Sequence, residues 1–96
     1  MLEMRPNCEN CDKALPNDSH EAMICTFECT FCTDCVEKIL HNVCPNCGGG
    51  FTKRPSRPKA LLDKYPVSQK RVFKPIDPTA FQAFLTQYQH IPAHER

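Results

Sequence analysis

Apolar positions in this chain fall in short clusters separated by polar and proline-bearing stretches. Met23–Phe27, MICTF, reads as a strand leading into a turn near Glu28. Asp34 reads as the cap of a short helix. Val36, Ile39 and Leu40 then share one face at i, i+3 and i+4, and the helix ends near His41 or Asn42. Gly48–Gly50 reads as a turn, with Phe51 opening a short strand. Towards the C-terminus, Asp77-Pro78 is a helix start, with Asp at the N-cap and Pro at the first helical position. Phe81, Phe84, Leu85 and Tyr88 form an apolar stripe on that helix, and Pro92 lies past its end.

These elements are too few to bury a self-sufficient core. Hydrophobic residues make up 41% of the 96, but eight of them are Cys. A head of about 50 residues needs a staple, whether disulfides, metal or a partner. All eight Cys lie within residues 8–47. The opening MLEMRPNC has no basic segment followed by an apolar run, so no secretory leader is expected. No apolar stretch approaches the roughly 18 residues of a membrane span. A cytoplasmic chain keeps its thiols reduced, so clustered Cys there point to metal.

The organisation follows from the same features. Residues 1–51 carry the Cys-rich head. Residues 52–76 form a basic, Pro-containing linker, and residues 77–91 hold the C-terminal helix. Residues 1–50 contain three basic and eight acidic residues, a net of −5, while residues 51–96 contain nine and three, a net of +6. Two zinc ions on eight thiolates would take the head to about −9 and the whole chain to about −3. An acidic head is a poor phosphate binder.

The Cys form four close pairs: Cys8/Cys11, Cys25/Cys29, Cys32/Cys35 and Cys44/Cys47. Three have C-x₂-C spacing, which sets two sulfurs on one ion about 2.3 Å away. Cys25/Cys29 is C-x₃-C, a wider turn. Four pairs make two sites in three ways. Sequential pairing joins the first pair to the second and the third to the fourth. Nesting puts Cys25, Cys29, Cys32 and Cys35 on one ion, and would have to do so while a strand ends and a helix starts among them. Interleaving joins Cys8/Cys11 to Cys32/Cys35, and Cys25/Cys29 to Cys44/Cys47. Interleaved loops cross, so neither site can be lost without loosening the other, which suits a chain with little core. Spacing alone leaves interleaved and sequential pairing open.

The order C-x₂-C-x₁₃-C-x₃-C-x₂-C-x₂-C-x₈-C-P-x-C resembles the RING finger and its cross-brace relatives. Phe31 before the fifth Cys, Val36 and Ile39 after the sixth, and the closing CPNC carry the resemblance over residues 8–47. The head, from MLEMRPNCENCDKALPNDSHEAMICTFECTFCTDCVEKIL through CPNCGG, is still more similar to a family of small bacterial Cys-rich proteins of unknown function. Together the resemblances imply a small zinc-stabilised α+β fold. It is a RING-like cross-brace with a short β-hairpin and one short helix, followed by a Pro-rich tail with a C-terminal helix. They also imply two Zn²⁺ ions held by Cys8, Cys11, Cys32 and Cys35 and by Cys25, Cys29, Cys44 and Cys47.

Ubiquitin-ligase activity is the alternative that the RING resemblance carries. Ile39 and Pro45 agree with it. Asn10 and Gly48 stand where ligases commonly have an apolar contact and a basic linchpin, and oppose it. Closed Cys₄ sites leave no position for water, and no catalytic triad, phosphate loop or carboxylate pair is present in the sequence, so no enzyme is expected. Asp12, Asp18 and Glu21 read as surface, and His20, His41, His90 and His94 as solvent-exposed. The run Lys53, Arg54, Arg57 and Lys59 reads as a solvated linker, or one folded back on the acidic head; without interleaved aromatics it gives little support to nucleic-acid binding. The expected function is a non-catalytic zinc-binding module for an unidentified protein partner. The Phe81–Tyr88 stripe is suited to packing on its own chain or to a homodimer.

Overall fold

A computed structural model describes all 96 residues. It is an α+β fold with a three-stranded antiparallel sheet in the order β2-β1-β3. Strands β1 (Ala22–Ile24) and β2 (Thr30–Cys32) form the expected hairpin, with Ala22 opposite Cys32 and Ile24 opposite Thr30. Its turn closes through Glu28, whose N–H donates to Cys25 O at 3.0 Å and whose φ is +64°. The short β3 (Thr52–Lys53) adds to the other edge of β1. Phe31 and Phe51 meet edge to face with ring centroids 5.5 Å apart.

Helix α1 follows β2 without a loop. It begins as an α-turn, Thr33–Cys35, and widens into a π-turn, Val36–Leu40. Two sequence expectations change here. Asp34 is not the cap. Cys32 occupies that position without a side-chain bond, and Asp34 lies in the first turn, where its charge still suits the helix N-terminus. Ile39 is not on the buried face, since it is 43% exposed while Val36 and Leu40 are buried. The cause is the π-turn. Its i→i+5 bonding widens the coil, so Leu40 comes round beneath Val36 and Ile39 falls short of the core. The helix stops where expected, at His41 and Asn42, both with positive φ.

Residues 52–76 run across the head as a strap, extended except for a 3₁₀ turn at Lys59–Leu61 and the turn that follows it to Tyr65, and two arginines hold its first part down. Arg54 is buried, and its guanidinium donates to the carbonyls of Arg5, Leu15 and Pro16 at 2.8–3.0 Å. Its charge meets three carbonyl dipoles instead of a carboxylate, and burial alone pulls its pKa down. Arg57 donates to Leu2 O, Tyr65 O and Pro66 O. Farther along, Ser68 N donates to Met4 O and Lys74 N to Glu9 O, while Val72 O accepts from the Asn7 amide.

Helix α2 (Pro78–Tyr88) starts at the expected Asp77 cap, which accepts from Thr79 N at 3.0 Å and Ala80 N at 3.5 Å. Its apolar stripe closes the core of the same chain. Phe81 and Leu85 join Leu15, Phe31, Val36, Leu40 and Val43 in one buried cluster, with Phe84, Tyr88 and Ile76 packed against it. No helix is long and apolar enough to cross a membrane.

Candidate metal centre

Six of the Cys are buried within the head; Cys47 is half-buried and Cys11 exposed. Two turns of the same backbone present half of them. In the first, Asp12 N donates to Cys8 O and Cys8 N to Lys13 O, both at 2.9 Å. In the second, Gly48 N donates to Cys44 O and Cys44 N to Gly49 O, both at 2.8 Å. Each turn passes through positive φ four residues after its first Cys, at Asp12 (+64°) and Gly48 (+80°).

The structure brings Cys8, Cys11, Cys32 and Cys35 together, with all four sulfurs within 4.8 Å of one another. It likewise brings together Cys25, Cys44 and Cys47. Cys29 stands beside this trio. Its carbonyl accepts from Cys25 N at 3.2 Å, and its Sγ accepts from the Asn46 amide inside the Cys44/Cys47 turn at 3.3 Å. The first pair thus meets the third, and the second meets the fourth. Of the three pairings that spacing allows, this is the interleaved one. The four His expected to be exposed are exposed.

The donor set fits a tetrahedral ion. Four sulfurs about 2.3 Å from a centre lie about 3.8 Å apart, and Cys11 Sγ and Cys32 Sγ are 3.7 Å apart. A disulfide would hold them at about 2.05 Å. Electrostatics place the proton question at the same atoms. Burial pushes Cys25 up to about 11, against the Phe27 N–H, which works the other way. Burial also raises Cys32, Cys35 and Cys44. Burial opposes the Cys11 thiolate too, but the Lys13 N–H and the thiols of Cys8, Cys32 and Cys35 outweigh it and pull Cys11 down. A buried cluster of thiols that resists ionisation is stabilised as thiolates by a cation at its centre.

Two residues not marked as site residues in the sequence complete the centres. Asn10 Nδ2 donates to Cys35 Sγ at 3.3 Å, and Asn46 Nδ2 donates to Cys29 Sγ at 3.3 Å. Each Asn lies inside one Cys pair and reaches a sulfur of the pair that joins it. Ile76 N donates to Asn10 Oδ1 at 2.9 Å, which fixes that amide's orientation and ties the strap to the first cluster. The signal was the repeated C-x-N-C of CENC and CPNC. Gly49 N adds a longer bond to Cys47 Sγ at 3.4 Å. Asp12 lies at the surface as expected but is engaged there: it accepts from the Asn7 amide at 2.9 Å and pairs with Arg71.

Residues 1–57 match the model of the family described as "Protein of unknown function (DUF1272)". The chain belongs to this family. It is 61% identical over 75 residues to an uncharacterized protein of Rhizobium meliloti (strain 1021), a match covering 78% of this chain and 89% of that one. A match of that length reaches past residue 57 into the strap. No solved structure matches the chain. The DUF1272 description assigns no activity, so the reading of this family member rests on its own residues.

Proposed function

We propose that the chain is a non-catalytic zinc-binding module of the cytoplasm, an adaptor or regulator for a protein partner. One structural Zn²⁺ would be held by Cys8, Cys11, Cys32 and Cys35, the other by Cys25, Cys29, Cys44 and Cys47. The carrying observation is the interleaved meeting of the Cys pairs. Each ion would close a long loop across the other, supplying the cohesion that a small apolar core lacks. All-sulfur tetrahedral donors suit zinc, and four protein ligands leave no position for an activated water. Asn10 and Asn46 orient the ligands and soften their charge.

The ligase alternative is weakened by the tail. Asn10 bonds Ile76 of the strap and, with Ile39, lines a cleft of about 350 Å³ against Pro78, Phe81 and Leu85 of α2. Pro45 lines another, of about 310 Å³, with Phe81 and Phe84. A Cβ on Gly48 would stand 3.2 Å from the Tyr88 ring. The positions through which RING ligases make their contacts are thus next to this chain's own tail.

Native mass spectrometry before and after acid, with metal analysis, tests the reading. Loss of two zinc ions from a chain with eight reduced Cys is expected. Iron, one ion per chain, or disulfides would overturn it.

A further inference from the structure

Folding sorts the basic residues of the strap by type. The arginines Arg54 and Arg57 turn inward and are spent on backbone carbonyls of the head and the strap. Arg71 pairs with Asp12. Lys53, Lys59, Lys64, Lys70 and Lys74 remain exposed, and none has a carboxylate within ion-pair distance. Residues 52–76 contain a single acid, Asp63. The nearby acids of the head are already engaged, Glu3 and Glu9 by Arg5 and Asp12 by Arg71. The local field of the strap is therefore positive although the head is acidic, because screening limits the reach of the head's charge to about 8 Å at physiological salt.

Two aromatic residues alternate with these lysines along the strap, and the fold leaves Phe73 half uncovered and Tyr65 partly so, with Lys64 lying over the Tyr65 ring. Tyr65 is 37% exposed and Phe73 is 55% exposed. Each follows or precedes a lysine, as Lys64-Tyr65 and Phe73-Lys74, and Lys64 Nζ lies 5.5 Å from the Tyr65 ring centroid. The backbone between them is already anchored, at Ser68 N to Met4 O and at Asn7 Nδ2 to Val72 O, so binding would not have to order it. Exposed cations neutralise phosphates, and exposed rings stack on unpaired bases. An acidic protein would use the lysines but has less need of the rings, and a duplex keeps its base faces stacked away from them.

We propose that the strap, through Lys64, Tyr65, Lys70, Phe73 and Lys74, is a binding surface for single-stranded nucleic acid without sequence preference. It is independent of the metal reading, since it uses none of the Cys.

The test is fluorescence anisotropy of the full chain, purified with its metal, against a labelled oligothymidylate of about 20 nucleotides. Binding at or below about 100 µM is expected in low salt. With about three phosphates neutralised, by Lys64, Lys70 and Lys74, affinity should fall roughly 20-fold between 50 and 200 mM salt. The Lys70→Glu/Lys74→Glu variant should lose at least about tenfold, and Phe73→Ala about fivefold or more. Lys38→Glu, a single charge reversal on α1 with half the charge change of the strap variant, should bind as the parent does. The proposal is overturned by no binding, by equal binding of a duplex of the same length, or by Phe73→Ala binding as the parent. It also falls if Lys38→Glu loses as much as the strap variant, or if anionic vesicles compete better than the oligonucleotide.

Discussion

The turns Cys8–Lys13 and Cys44–Gly49 share a backbone and differ in almost everything that touches it. Both carry C-x-N-C, both send an Asn amide to a sulfur of the opposite pair, and both pass through a left-handed residue at the same place. The first is set in polar contacts. Glu9 is buried and accepts from Thr30 N at 2.6 Å and from Arg5, while Asn10 and Asp12 hold the strap. The second is set in apolar ones, with Pro45 beside Phe81 and Phe84, and Gly48 under Tyr88. One local design thus serves two different neighbourhoods, and the tail touches both. The two centres are not equally drawn together, since one gathers four sulfurs and the other three with Cys29 alongside.

Removing metal should erase the comparison altogether. If ligand binding is folding for this head, a chelator at neutral pH should abolish its dispersed NMR spectrum. Acid should act in the same direction. Without metal a thiol in its ordinary range, about 8.5, is protonated at neutral pH, and burial in the folded head holds the Cys25 proton more firmly still, pushing it up to about 11. Metal must displace that proton, so affinity falls as pH falls and is recovered as it rises. A head that keeps its spectrum without metal would show that the apolar cluster suffices.

Removing one ligand should separate the two centres. Cys32→Ser takes a sulfur from the gathered quartet and should leave at most one metal in native mass spectra. Cys29→Ser takes the sulfur that stands beside its trio, leaving Cys25, Cys44 and Cys47 together. Its centre should retain weakened binding, and the Cys32 variant should be the less stable of the two. Equal losses would mean that the metal draws Cys29 in as firmly as the rest.

Much of this design was legible in the residues. The four Cys pairs, the turn at Glu28, the Asp77-Pro78 start and the Phe81–Tyr88 stripe each follow from local chemistry, and each is present. Pairing was legible only through the cross-brace resemblance, because spacing constrains a loop's length and says nothing of which other loop it meets. Arg54 looked like its neighbours Lys53 and Arg57, since burial of a guanidinium depends on carbonyls supplied by residues 5, 15 and 16. Ile39 lies off the buried face because an i, i+3, i+4 pattern presumes an α-turn, and the π-turn rotates the i+3 position out. In the sequence Asn10 reads as a departure from the ligase pattern, though its twin Asn46 occupies the same place in the other turn.

That twinning gives the third test. Truncating an outer partner of a metal ligand typically lowers affinity about 10–100-fold. Asn10→Ala removes the amide from Cys35 and also leaves Ile76 N without its acceptor, so it should lie at the upper end. Asn46→Ala removes only the bond to Cys29 and should lie at the lower end. Competition with a chromophoric chelator measures both. The reverse order would assign the Asn10 bond to holding the strap rather than the metal.

The smallest effect probes why the left-handed position is Asp in one turn and Gly in the other. Asp12 shows that this turn does not require glycine, given side-chain partners such as Asn7 and Arg71. Left-handed strain alone costs a non-glycine residue about 1–2 kcal/mol. At position 48 a Cβ would also press on Tyr88 Cε2 at 3.2 Å and Phe84 Cζ at 3.4 Å. Gly48→Ala should therefore destabilise by about 2 kcal/mol, somewhat more than strain alone. In a Tyr88→Ala background the same substitution should cost only the strain, a difference that a double-mutant cycle of thermal or denaturant stability resolves. If the cost is the same in both backgrounds, the ring yields without penalty and glycine at this place reflects the backbone alone. If it shrinks, the glycine is there because α2 lies on the turn, and the tail is part of what shapes the second centre.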